Sequence, residues 1–223
     1  MKHIQKLTIL VLTSTLFTNC AAVKLADSWS SANFAKTKND KLLVVARTSD
    51  AEVRKSYEDQ MVLNLKQKEV NAVASYIAFP ELKENKNRTE EEVNEIVQRF
   101  LKDGFESIML TSLKEVKKLE KNYTTPKIDI ADPNYGKYGI GFTSYYSNFD
   151  GLPDISRFNS KENQELVVPL SSTIYILEAV TYDLTVPDKD RLVRIISVEA
   201  TDPESAKQVR TSFSKIVAKE FGK

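Results

Sequence analysis

The chain has one histidine, His3, and one cysteine, Cys20, both within its first 20 residues. Everything after Cys20 must therefore work without an imidazole or a thiol. That excludes Ser-His-Asp and Cys-His nucleophile systems, histidine general-base catalysis and the usual His/Cys zinc sites. It excludes disulfides within the folded part as well. Carboxylate, lysine and tyrosine chemistry remains, with oxygen-ligand sites for Ca²⁺ or Mg²⁺. Asp129, Asp132, Asp150 and Asp154 could supply such oxygens, but they lack the D-x-D-x-D-G spacing of a calcium loop. Asp188 and Asp190 stand where a turn favours aspartate anyway. Lys114, Lys117, Lys118 and Lys121 interleave with Glu115 and Glu120, as on a solvated face. Arg54 and Glu58, four apart on a predicted helix, read as a surface ion pair with no activity. No Gly-rich phosphate loop, Walker motif or nucleophile elbow is found in the sequence. The expectation is a chain with no catalytic residue, no metal and no cofactor.

Cys20 itself is the most informative residue. Lys2, His3 and Lys6 precede an apolar stretch from Leu7 to Phe17, and Thr18-Asn19-Cys20 follows. A positive segment followed by a short apolar one is the pattern of an export signal. It is too short to span a bilayer, which takes about 20 apolar residues. A thiol directly after it resembles the lipobox of bacterial lipoproteins, in which the cysteine is acylated and becomes the first mature residue. Thr18 fits that pattern, whereas Phe17 and Asn19 depart from it. The alternative is an ordinary secretory signal that ends near a cysteine. The lipobox resemblance implies residues 1–19 as signal peptide, Cys20 as the lipidation site and the membrane as a partner through that lipid. Ala21 and Ala22 include no aspartate of the kind that retains some lipoproteins at the inner membrane. The expected location is the outer membrane, on its periplasmic side. The 32 basic side chains are matched by 31 acidic ones, and removing Lys2 and Lys6 with the signal keeps the balance near zero. Nucleic acid is therefore not an expected partner.

The elements that would position any site read clearly in places. Residues 20–40, with Ala21, Ala22, Ser28, Ser30 and Ser31, read as a lipidated tether. Trp29 is its one large aromatic, either tucked against the domain edge or held out for a membrane or partner contact. Lys41 to Arg47 suits a buried strand, and Ser49 or Asp50 caps a helix bearing Val53, Tyr57, Met61 and Leu65. Val70 to Phe79 reads as a second strand stopped by Pro80. Thr89 and Glu92 form a capping box, and Gly104 ends the helix that carries Val93, Val97 and Phe100. Phe105 to Val116 is a third strand. Ser172 to Thr185 and Arg191 to Thr201 pair as a hairpin turned at Asp188-Lys189-Asp190, and Asp202-Pro203 opens a last helix. The sum is an α/β (α+β) fold: one mixed sheet, β-α-β-α-β, then an antiparallel hairpin and a C-terminal helix. Residues 41–223 form one domain with an insertion at 123–161.

That insertion concentrates four of the six glycines and three of the seven prolines. It also holds Tyr135, Tyr138, Phe142, Tyr145, Tyr146 and Phe149, with an irregular hairpin expected around Ile140 to Tyr146. Tyrosine offers large contact area with few torsions to freeze, so these six residues are the candidate binding surface. The competing expectation is that they fold back over the open face of the sheet.

The Leu42–Val45 strand, the helix with Arg54 and Glu58, the second strand Val70–Phe79, and Gly104-Phe105-Glu106-Ser107-Ile108 look like a recurrent set of bacterial envelope lipoproteins. The closing hairpin with Tyr182-Asp183-Leu184 and the terminal helix fit the same set. In fold, that group resembles the TolB N-terminal domain and the curli-secretion lipoprotein CsgG. The resemblance implies a non-enzymatic, periplasmic accessory module with an envelope protein as partner. The alternatives are a carrier of small apolar ligands or, further off, a carboxylate-based hydrolase. A carrier needs a cavity between sheet and helices; a hydrolase needs two acids converging in a cleft.

Overall fold

The computed structural model describes residues 23–82, 86–119, 141–147 and 172–223. Its centre is one mixed sheet of six strands: β1 Val23–Ser30, β2 Leu42–Ala46, β3 Ala72–Ala74, β4 Ser107–Leu119, β5 Ser172–Asp183 and β6 Leu192–Thr201. Their spatial order is β1-β6-β5-β4-β2-β3. β2 runs parallel to β3 and β4, and every other neighbour is antiparallel. The expected α/β architecture with a mixed sheet, a hairpin and a C-terminal helix is the one observed.

β2 sits between two parallel partners, and helices cover both its faces. All five of its residues, Leu-Leu-Val-Val-Ala, are accordingly buried. After the single turn of α1 (Phe34–Thr37), α2 (Ala51–Lys66) starts where the Asp50 side chain accepts from the amides of Glu52 and Val53. α4 (Glu90–Lys102) starts at the reciprocal box of Thr89 and Glu92, and Gly104 follows it at φ 77°. Val53, Tyr57, Met61 and Leu65 of α2 share one core with Val209, Phe213 and Val217 of α6 (Ala206–Phe221). Val93, Val97 and Phe100 of α4 lie in the other, against Leu43, Val45, Ile108 and Leu110. Both faces of β2 are thus covered, and β5 is buried on both from Ile174 to Asp183.

Four expectations need correction. Residues 23–30, read as tether, form the edge strand β1, paired antiparallel with β6 from Val23↔Ala200 to Ser30↔Arg194. An edge strand packs few side chains, so its sequence lacks the apolar alternation that marks inner strands. Residues 70–79 are not one strand. β3 stops after Ala74, and α3 (Ser75–Ala78) follows because a buried carboxylate takes the Tyr76 amide and the Ser75 hydroxyl. The last helix begins at Ala206, capped by Ser205, whose hydroxyl accepts from Gln208 N at 3.2 Å. Asp202 lies before it at φ 43° and accepts from Thr173 N at 2.7 Å, so Asp202-Pro203 is a turn rather than the first helical turn. Around Ile140 to Tyr146, α5 (Phe142–Ser147) takes the place of the expected hairpin.

Candidate functional site

Chain order places the site. β2 leads through α2 to β3 on one side, and β3 leads through α4 to β4 on the other. The two helices lie in opposite cores, so the chain reverses direction across the sheet between β2 and β4. In open α/β sheets, the carboxyl ends of strands at such a point are where ligands and polar groups collect. Here β2 ends beside Thr111 of β4: the Arg47 amide donates to the Thr111 carbonyl at 2.8 Å, and the Thr111 hydroxyl donates to the Val45 carbonyl at 3.3 Å.

Two side-chain clusters flank this junction. In the first, Glu58 is fully buried. Its carboxylate accepts from the Ala46 amide at 3.0 Å, Arg54 Nε at 3.0 Å, Ser75 Oγ at 2.7 Å and the Tyr76 amide at 2.9 Å. Arg54 donates onward to Ser75 Oγ and to the Leu82 carbonyl, each at 2.7 Å. Burial pushes the Glu58 carboxyl above its ordinary range, opposed by the Arg54 guanidinium and the donated hydrogen bonds. The expectation of a surface ion pair at Arg54 and Glu58 is therefore wrong. A carboxylate that accepts four donors in the interior ties β2, α2 and α3 together and has no free face for a substrate.

The second cluster is aromatic. Phe142 and Tyr146 of α5 are fully buried, with ring centroids 5.2 Å apart at 18°. Tyr182 of β5 meets Phe142 edge-on at 5.2 Å. The guanidinium of Arg88 lies 4.6 Å from the Tyr146 ring centroid and that of Arg47 5.6 Å from it, while Arg191 lies 5.7 Å from Phe142. Asp188 holds the start of α5, its Oδ1 accepting from the Thr143 amide at 3.0 Å and the Thr143 hydroxyl at 2.9 Å. A Cβ on Gly141 would stand 2.7 Å from Asp188 Oδ2, so a larger residue there would have to displace the carboxylate that holds α5.

Further along the sheet, on the same face as α5, Glu178 of β5 accepts from Lys114 Nζ at 2.9 Å and Ser197 Oγ at 3.1 Å. These two hydrogen bonds link β4, β5 and β6. Lys114, expected on a solvated face, is thus partly drawn into the sheet, and Lys117 pairs locally with Glu115.

The candidate binding residues divide accordingly. Phe142 and Tyr146 are core residues, which corrects their reading as an exposed contact surface. The side chain of Tyr145 lies outside the described residues, as do Tyr135, Tyr138, Phe149, Cys20 and the aspartates at 129, 132, 150 and 154. Asp188 belongs to its turn, as expected, and its carboxylate also caps α5. Among the described residues no group of acids, His and Cys is placed to hold a metal ion. None of their helices is long and apolar enough to cross a membrane. Arg47 and Arg88, which sequence reasoning did not single out, are the residues that bind α5 to the junction. Their one signal in the sequence is position: Arg47 follows a wholly apolar strand, and Arg88 precedes a capping box.

No family model matches the chain, and no curated protein does. Among solved structures it is similar to the PelC dodecamer of Paraburkholderia phytofirmans, at 11% identity and a TM-score of 0.40, covering 90% of this chain and 96% of that one. A point variant of the same dodecamer aligns at 10% identity and a TM-score of 0.41, covering 90% and 98%.

Proposed function

We propose that this chain is a lipid-anchored lipoprotein of the outer membrane, acylated on Cys20 and facing the periplasm. Its α/β domain serves there as a non-enzymatic binding or envelope-assembly module for another envelope protein. The observation that carries this reading is the place of Cys20. It follows an export-type apolar segment and precedes the first strand, at Val23, by three positions. Processing at that point removes the segment before it and leaves the fold whole. The non-enzymatic part is supported by how the gathered charges are used. Glu58 is taken up by backbone amides and Arg54, Asp188 by the start of α5, and Glu178 by Lys114 and Ser197. The resemblance of its sequence elements to the TolB N-terminal domain and CsgG group implies the same accessory role.

The test is fractionation of envelopes that express the full chain or its Cys20→Ala variant. The wild type is expected in the membrane pellet after a carbonate wash, and the variant in the soluble fraction. A variant that still pellets after the wash removes Cys20 as the anchor.

A further inference from the structure

We propose that the outer edge of β1 is the surface the domain sets against the lipid bilayer, with Leu25 and Trp29 at headgroup depth. This rests on the reading of Cys20 as the acylated residue. Three residue steps separate Cys20 from Val23, and an extended chain covers at most about 3.6 Å per residue, so the leash is about 11 Å long at most. Because β1 begins at Val23, the edge of the sheet is the part of the fold closest along the chain to the lipid. A domain on so short a leash rests on the membrane.

Two properties of β1 make it suited to that seat. The first is apolar exposure: Leu25 is 38% and Trp29 36% exposed, on a strand whose outer edge has no partner among the described residues. Leu25 pairs with Val198, which belongs to the core under α2 and α6, and Trp29 pairs with Ile195, which belongs to the core under α4 and α5. Paired residues share a face, so the two side chains straddle the edge. An edge-on seat brings both to the membrane, whereas a face-on seat reaches only one. The second property is charge balance. Lys24 pairs with Glu199 at 3.2 Å and Asp27 lies nearby on the strand, so attraction to anionic lipid is not required. Depth is limited by the backbone. Open strand edges cannot enter hydrocarbon, but in the wet headgroup region water and lipid oxygens satisfy them, and tryptophan favours that layer.

Trp29 is the only tryptophan in the chain, so its emission reports this position alone. Full-length protein, lipidated in bacteria and purified in detergent, would be reconstituted into phosphatidylcholine vesicles with and without acyl chains brominated near the carbonyl. The expected result is that the protein floats with both kinds of vesicle and loses at least half its emission in the brominated ones, with no dependence on salt. Protein that floats with unchanged emission overturns the docking surface and leaves the anchor standing. Protein that fails to float overturns both. Quenching that disappears as the protein-to-lipid ratio rises assigns the edge to a second copy and overturns the bilayer as its occupant.

Discussion

At the scale of single residues, the most consequential side chain in the described fold is Glu58. Its carboxylate is fully buried beside Arg54 and accepts from two amides and one hydroxyl. Removing one partner of such a pair leaves the other buried and unpaired, so Glu58→Ala is expected to cost about 3–5 kcal/mol in urea unfolding. Replacing both partners together, Arg54→Met with Glu58→Leu, removes the uncompensated charge and should recover part of that loss. Equal losses in the single and double variants would show that the pair is not the source. The pH dependence follows from the direction of the Glu58 shift. A carboxyl held above its ordinary range keeps its proton in the folded state at pH values where the unfolded chain has already released it. Stability from this group is therefore greatest at low pH and falls as pH rises between the ordinary carboxylate range and the raised one. Comparison with Glu58→Gln across that window isolates the contribution, since the variant lacks this slope. Residue chemistry of this kind was only half legible. Arg54 and Glu58 were found as a pair, but each stands one position beyond a core residue, Val53 and Tyr57, where sequence spacing alone favours solvent. What buried them was α3, folded over the pair.

At the scale of elements, α5 shows how one short helix is held by its neighbours. Six residues make too few hydrogen bonds to stand alone in water. α5 persists because Phe142 and Tyr146 enter the core, the arginines at 47 and 88 approach Tyr146, and Asp188 caps its first turn from the β5–β6 connection. Truncating a buried aromatic costs about 3–5 kcal/mol, so Tyr146→Ala is expected to lower the melting temperature by many degrees. A variant that melts within two or three degrees of wild type, by about the shift a surface change gives, would return Tyr146 to the contact surface. The helix was illegible in the sequence because Gly141, Ser144 and Ser147 favour turns and its support comes from far along the chain, from Asp188 and the arginines at 47 and 88. Strong local signals fared better. The Asp50 cap, the Thr89–Glu92 box and Gly104 stand where spacing placed them, since each acts within one turn of the chain.

At the scale of the whole molecule, β1 closes one side of the sheet. Without it, β6 would become the edge, and its residues from Val193 to Ala200 are buried. A chain beginning at Ser31 is expected to associate through that exposed edge, whereas one beginning at Val23 should elute as a single defined species in size-exclusion chromatography. Identical profiles for the two would mean that β1 contributes nothing to protecting β6. This strand was missed in the sequence because a ladder of backbone hydrogen bonds, not a pattern of side chains, holds an edge in place. From the chain's own residues come the class of fold, the starts of α2 and α4, the hairpin, the lack of imidazole and thiol beyond residue 20, and Cys20 as the proposed anchor. Each of these depends on composition or on contacts within a few residues. The tertiary structure alone decided that Arg54 and Glu58 are interior, that Phe142 and Tyr146 are core, and that residues 23–30 belong to the sheet. Burial is a property of what packs on top, and what packs on top comes from distant parts of the chain.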